Sequence, residues 1–396
     1  MAETTQLGDA KHVDDLISQL LADNDPKGDR VAFLGAQFEL GLAWVGFPEG
    51  HGGLGLSPGL QVTVNQAMLE AGAPLSAQFN PIGTGMGAPT VIEHGTEEQK
   101  KRWLRPLFTG EEIWCQLFSE PGAGSDVAAL AAKAVLDGEE WIANGQKVWT
   151  TLAHVSKWGM LVVRTDPDLP KHKGMTYFIM DMETEGVEVR PLRQATGEAE
   201  FNEVYMTDVR IPDADRLGDR GDGWRVSLTT LMNERVAIGA AVMPREHGPI
   251  GEVVRLWKDS PGDVVQRDDM MRLWIEAETA RLTNWRAAQG RAKGTPGPEG
   301  SIAKLVYAEL NKRIYDFALD LMGAEAMGYD SYEYSLPEDF VAGDRDIRRS
   351  FVRARANSIE GGTSEIMKNI VGERVLGLPG EPRVDKDIPW SEVPKS

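Results

Sequence analysis

The period of the hydrophobic pattern changes twice along the chain, and each change excludes most folds. Near the start, Val13, Leu16, Ile17, Leu20 and Leu21 recur at helical spacing and mark one apolar face. Between about residues 113 and 211 the period drops to two. AKAVLDGEEWIANGQKVWTT, WGMLVVRTD, GMTYFIMDMET, VEVRPL and EVYMTDVRIP all carry strand-like runs. From Gly223 onward the helical period returns over 227–243, 266–293, 301–322 and 345–360, with a last helix over 364–376. Helices, sheet, helices is an α+β order. It divides the chain into an all-α domain over 1–112, a β-domain over 113–220 and a four-helix bundle over 221–380. The remaining 381–396 form a Pro-rich acidic tail that reads as loose. Asp137-Gly138 and Asn144-Gly145 read as hairpin turns, so the sheet is expected to be an antiparallel barrel or sandwich. Thr96, followed by acids, reads as the cap of a helix.

Charge narrows the partners. Asp and Glu number 61 against 42 Lys and Arg, a formal net charge of −19. That balance repels nucleic acid and anionic membranes. A phosphate-bearing ligand must then be met by a few placed cations and by backbone amides. Cys115 is the one cysteine, which rules out internal disulfides and fits a reducing cytoplasm. The start is polar and no apolar run is long enough to cross a bilayer, so a cytoplasmic protein is expected. The six histidines are scattered outside any metal spacing, and no metal is expected.

Four stretches carry chemistry. SEPGAGSDV (119–127) has glycines at 122 and 124 that let backbone amides approach a phosphate or a ring. Val127 stands where a dinucleotide fingerprint needs its third glycine, and by pattern alone the stretch reads as a loop between domains. In VWTTLAHVSKW (148–158), Trp149, Thr150 and Thr151 suit stacking on, and hydrogen bonding to, a planar polar ring such as a flavin. The same tryptophan alone would read as a cross-strand aromatic. In LMNERVAIGAAV (231–242), Glu234 has Thr230, Leu231, Ala237 and Ile238 as helical neighbours. A carboxylate in such company is desolvated, which suits a general base or an interhelical ion pair. In SIEGGTSEI (358–366), two glycines end one helix and Thr363 or Ser364 caps the next, leaving Glu360 at the junction as a second candidate base.

Taken together, SEPGAGSD, NGQKVWTT, LMNER and GGTSEI make the sequence resemble the acyl-CoA dehydrogenase family. PEGHGGLGLS, HGTEEQKKRWLRPLFTGE and SIAKL (301–305) also look like family segments in the right order, so the likeness covers nearly the whole chain. The resemblance implies an N-terminal helical domain, a middle antiparallel β-domain and a C-terminal four-helix bundle. It implies non-covalent FAD and oxidation of an acyl-CoA thioester to its trans-2-enoyl form, with electrons passed to an electron-transfer flavoprotein or similar acceptor. Residue by residue, it implies that Phe118 and Ser119 contact the flavin ring and that Trp149, Thr150 and Thr151 pack on it and hydrogen-bond to it. Gly124 and Ser125 would lie near the acyl-CoA or the cofactor. Thr363 and Glu365 would contact FAD, and Arg235 the CoA arm. Gly361 would supply the backbone amide that polarises the thioester carbonyl.

The family places its base either just before the Gly-Thr of the last motif or in the first bundle helix directly before an Arg. The first position is Gly361 here, which cannot take a proton. The second is Glu234, before Arg235. Glu234 is therefore the implied base, and Glu360, one residue early, the decoy.

Two family features are missing. The Arg-x-x-Phe-Gly stretch that reaches a neighbouring subunit's FAD is absent from PREHGPIGEVVRLWKDSPGDVVQRDD. The Gln and Gly-Gly expected before the last helices appear as Asp320, Gly323 and Ala324. The resemblance thus leaves open a homotetramer or an α2β2 assembly in which a related chain supplies the missing groups. The heteromeric branch of the family handles bulky substrates such as steroid side-chain CoA thioesters. An acyl-CoA oxidase and a non-catalytic or half-site FAD-binding subunit are the competing readings.

Overall fold

A computed structural model describes residues 2–239, 244–292, 299–329, 331–338, 346–382 and 385–394. Six helices come first: α1 (Ala2–Asp23), α2 (Arg30–Glu39), α3 (Gln61–Ala71), α4 (Ser76–Phe79), α5 (Ala88–His94) and α6 (Glu97–Thr109). Val13, Ile17 and Leu20 of the first apolar stripe are buried with Val64 and Met68 of α3. Thr96 caps α6 through a reciprocal pair. Its Oγ1 accepts from the Gln99 amide at 3.3 Å, and its own amide donates to Gln99 Oε1 at 2.9 Å.

Seven strands follow: β1 (Trp114–Leu117), β2 (Lys133–Asp137), β3 (Glu140–Thr151), β4 (Trp158–Arg164), β5 (Met175–Asp181), β6 (Val187–Pro191) and β7 (Phe201–Pro212). The sheet runs β1-β4-β2-β3-β7-β6, with β5 also on β4. Most pairings are antiparallel, as expected, while β1 and β2 each run parallel to β4. Asp137-Gly138 turns β2 into β3, with Gly138 at φ 66°. Asn144-Gly145 does not turn the chain. β3 runs through it, and the register against β7 slips there between Ala143 and Gly145. The cause lies in the two side chains. Asn144 is tied to Asp208 by two hydrogen bonds of 3.0 and 2.9 Å, and a Cβ on Gly145 would meet that of Ala132 at 2.5 Å. The Asn-Gly pair serves a bulge rather than a hairpin.

The helical remainder comprises α7 (Gly223–Gly239), α8 (Pro249–Asp259), α9 (Val264–Ala292), α10 (Glu299–Met322), α11 (Ile347–Ala354) and α12 (Ser364–Arg374). α10 is central and touches α7, α8, α9, α11 and α12. The expected helix ends at 240–243 and 293 lie outside the described residues, as does Arg345. α8 was not foreseen, and the helix expected up to residue 360 gives way to a 3-10 turn over Arg355–Ser358. No helix among the described residues is long and apolar enough to cross a membrane.

One hydrophobic core runs through all three parts. It joins Leu34 and Trp103 of the first helices, Trp114, Met160 and Tyr177 of the sheet, and Val226 of α7. Trp103 meets Trp114 edge-on at 6.0 Å. Burying each such side chain contributes on the order of 2 kcal/mol. Over residues 385–394 the tail is not loose. The Trp390 amide donates to Leu169 O and the Ser391 amide to Pro167 O, both at 2.9 Å, so residues 385–394 lie docked on the sheet domain.

Candidate active site

β1 leads Phe118 into the interior, where it is buried and meets Tyr177 edge-on at 5.9 Å. Its carbonyl accepts from Lys147 Nζ at 3.0 Å, and the same ammonium reaches Glu120 Oε1 at 2.8 Å. Burial lowers the pKa of Lys147, and the charge of Glu120 opposes that. The next carbonyl, that of Ser119, accepts from the Val148 amide at 2.9 Å. This bond sets the end of β3 beside Phe118 and Ser119. There Trp149 holds a left-handed backbone at φ 61°, rare and unfavourable for a bulky residue, and its side chain is 60% exposed. Phe201 supports it edge-on at 6.0 Å. Thr150 is buried and its Oγ1 has no hydrogen-bond partner among the described residues, while Thr151 is half-buried.

Glu234 comes from α7, one turn after Thr230, and is half-buried. Thr230 belongs to a buried polar seam, 2.9 Å from Thr90 Oγ1 and 3.1 Å from the Tyr177 hydroxyl. Burial raises the pKa of Tyr177, so it stays a neutral phenol. Gln116 Nε2 of β1 donates to Glu234 Oε2 at 3.4 Å, which links the base candidate to the strand that leads to Phe118.

Lys304 of α10 is 1% exposed, and its ammonium donates to Asn357 O and Gly362 O at 2.6 Å each. Burial lowers its pKa, against the opposing charges of Glu360, Glu234 and Glu309. One buried cation therefore interacts with both candidate bases and holds the turn after the second. In that turn Gly361 and Gly362 stand at φ 62° and 94°, which glycine adopts without strain. Thr363 is the cap of α12, accepting from the Ile366 amide at 3.2 Å, and Glu365 is exposed in the first helical turn.

Glu360 is differently placed. Arg353 donates to its two oxygens at 3.0 and 2.8 Å, and Asn357 Nδ2 adds a third bond at 2.8 Å. Burial pulls the pKa of Arg353 down, but its bonds to Glu360 outweigh this and the net direction is up. Arg353 also lies over the Phe201 ring at 5.6 Å and 3.5 Å from Glu200. A continuous chain of contacts thus runs Trp149, Phe201, Arg353, Glu360.

Gly124 and Ser125 are exposed on the loop after Glu120. The side chain of Arg235 lies outside the described residues. Gln116, Arg353 and Lys304 were not singled out from the sequence. The signal for Lys304 was present, a lone cation inside the apolar segment SIAKL.

The chain matches the acyl-CoA dehydrogenase N-terminal domain over residues 10–111, the middle domain over 115–209 and the C-terminal domain over 221–376. It belongs to the acyl-CoA dehydrogenase family. Acyl-CoA dehydrogenase IpdE1 of Mycobacterium tuberculosis is 38% identical over 345 residues, covering 86% of each chain. The match to acyl-CoA dehydrogenase FadE34 of the same organism, 39% identical over 83% of this chain, spans only 43% of that longer relative. Among solved structures, the Tcur3481-Tcur3483 steroid ACAD gives a TM-score of 0.73 at 25% identity, covering 96% of this chain and 99% of that one. The ChsE4-ChsE5 complex from Mycobacterium tuberculosis gives 0.72 at 26% identity, covering 94% and 98%. The family that the motifs resemble is thus the chain's own, and with it comes the enzyme class, an acyl-CoA dehydrogenase.

Members of the family generally bind FAD, and the residues present fit such a group. Trp149 offers an exposed indole face and Thr150 a buried hydroxyl in need of a partner. The paired glycines at the start of α12 leave backbone open to a close approach.

Proposed function

We propose that this chain catalyses the α,β-dehydrogenation of an acyl-CoA thioester to the trans-2-enoyl-CoA, with Glu234 as the base. The observation that carries this reading is how Glu360, the other candidate, is engaged. Three donors from Arg353 and Asn357 close around Glu360. Glu234 instead stands on α7, where Gln116 of β1 donates to it at 3.4 Å and the charge of Lys304 lies nearby.

In this reading Glu234 removes the α-proton. The Gly361 amide donates to the thioester carbonyl as negative charge develops there. Lys304 keeps the turn in shape by holding the carbonyl of Gly362. Phe118, Ser119, Trp149, Thr150, Thr151, Thr363 and Glu365 hold the flavin nucleotide, with Gly124, Ser125 and Arg235 toward the acyl-CoA. FAD, when bound, supplies the two-electron oxidant that accepts the β-hydride.

The substrate is a bulky thioester of the steroid side-chain kind, and the partner is a related chain in an α2β2 assembly. A structural relative named as a steroid ACAD and another described as a complex of two named proteins support these two points. So does the outer face of α9. Met271, Ile275, Leu282 and Trp285 recur there at helical spacing, exposed.

The test is mass spectrometry of the product formed from octanoyl-CoA and from a steroid side-chain CoA thioester with a dye acceptor. A loss of two hydrogens, greater with the steroid thioester and abolished in Glu234→Gln, is expected. Undiminished product from Glu234→Gln would sink the assignment of the base.

A further inference from the structure

The loop 121–126, exposed except at Ala123, carries Ser125 and is pinned at both ends by a lysine. At its start, the Glu120 carboxylate accepts from the Ala131 and Ala132 amides at 2.7 and 3.0 Å and from Lys147 at 2.8 Å. At its end, Asp126 Oδ2 accepts from Lys171 Nζ at 2.7 Å. That same ammonium is held from the other side by Asp385 Oδ2 of the carboxy-terminal segment, at 2.6 Å.

The segment reaches further. Arg164 is 2% exposed and donates to Ala128 O at 2.6 Å, to Leu130 O at 3.3 Å and to Lys171 O at 2.7 Å. The Trp390 ring lies over this guanidinium at 4.9 Å, and its Nε1 donates to Ala129 O at 3.3 Å. Three consecutive carbonyls at the loop's exit are thus fixed, two by Arg164 and one by Trp390. Backbone hydrogen bonds from Trp390 and Ser391 to Leu169 and Pro167 seat the segment itself.

We infer that residues 385–394 are a strap that positions the Ser125 loop for the CoA thioester, with Asp385 and Trp390 as positioning residues. This rests on the reading of that loop as a wall of the acyl-CoA site. The physical reason is entropy. Ala123 is buried and pairs with Glu120 through two backbone bonds of 3.0 Å, but residues 124–126 are exposed and a Cβ on Gly124 would meet nothing within 4 Å, so the span that carries Ser125 depends on its far anchor. The Asp126–Lys171 pair, with its carboxylate exposed, is alone a weak tether. Without the strap, ordering the loop would have to be met by ligand binding, which weakens affinity and leaves the chemical step alone.

The test compares the assembled, FAD-loaded wild type with the double variant Asp385→Asn/Trp390→Ala and with a chain ending at residue 384. Coenzyme A is titrated by calorimetry, octanoyl-CoA turnover is followed, and amide exchange is read over 121–130. The strap predicts that the Kd for coenzyme A and the KM for octanoyl-CoA rise at least about fivefold. It predicts kcat within about twofold of wild type, an unchanged flavin absorbance per chain and faster exchange over 121–130. Trp390→Phe, which keeps a ring over Arg164, should recover part of the affinity. Should the shortened chain fail to fold, the double variant decides. Unchanged Kd and KM in the double variant overturn the strap, whether or not exchange increases. Ser125→Ala separates the two ways of failing. If it shifts Kd and the double variant does not, the strap alone is wrong. If Ser125→Ala shifts nothing, the loop is no part of the site and the strap falls with that reading.

Discussion

Glu234 and Glu360 show how little a carboxylate's place in a motif says about its work. Both were legible as candidates, because an acid beside glycines or among apolar neighbours is conspicuous in a sequence. What separates them is Arg353, seven residues before Glu360, whose guanidinium meets both of its oxygens. No periodicity announces that pairing, since it depends on a 3-10 turn over Arg355–Ser358 folding the chain back. Asp215 is a second residue that only the structure exposes. Burial, with a smaller contribution from Asp181 and against the charge of Arg102, raises its pKa from 3.8 to about 6. A carboxyl whose folded pKa is raised favours the protonated fold, so its charged form penalises folding fully above about pH 6. The penalty fades as pH falls and is gone below the unfolded value near 3.8. Asp215→Asn should therefore raise Tm at pH 7 to 8, with the gain vanishing toward pH 4. Equal Tm values for variant and wild type at both ends would contradict the burial argument.

Among the elements, the change of hydrophobic period placed helices, sheet and helices in order, because burial of one face is a local property of the sequence. Junctions were less legible, since they answer to contacts far along the chain. Asn144-Gly145 has the composition of a hairpin turn, yet it sits inside β3 because Asp208 claims the asparagine and Ala132 crowds the glycine. Gly145→Ala should cost ~1–3 kcal/mol, because backbone as well as the Ala132 methyl stands in the way of the new Cβ. A thermal melt would show this as a lower Tm, and an unchanged one would mean that the bulge has room. The tail was misread for a related reason. Its prolines and acids suit a free segment, but Asp385 and Trp390 find Lys171, Arg164 and Ala129 more than two hundred residues earlier.

At the scale of the whole molecule, the apolar outer face on α9 is where the proposed related chain would pack. Expressed by itself this chain should lack a full complement of FAD, and co-expression with a related chain that carries the missing Arg-x-x-Phe-Gly stretch should give an α2β2 mass with a higher FAD content per chain. A stable homotetramer saturated with FAD, seen by native mass spectrometry, would contradict the need for that partner. The central claim, that Glu234 is the base and Glu360 a structural acid, meets its most direct test in the anaerobic flavin spectrum. Wild type, Glu234→Gln and Glu360→Gln would each be titrated with an acyl-CoA thioester that the wild type oxidises. The account predicts that the flavin bleaches in the wild type and in Glu360→Gln and stays yellow in Glu234→Gln. Bleaching in Glu234→Gln with loss in Glu360→Gln would reverse the assignment.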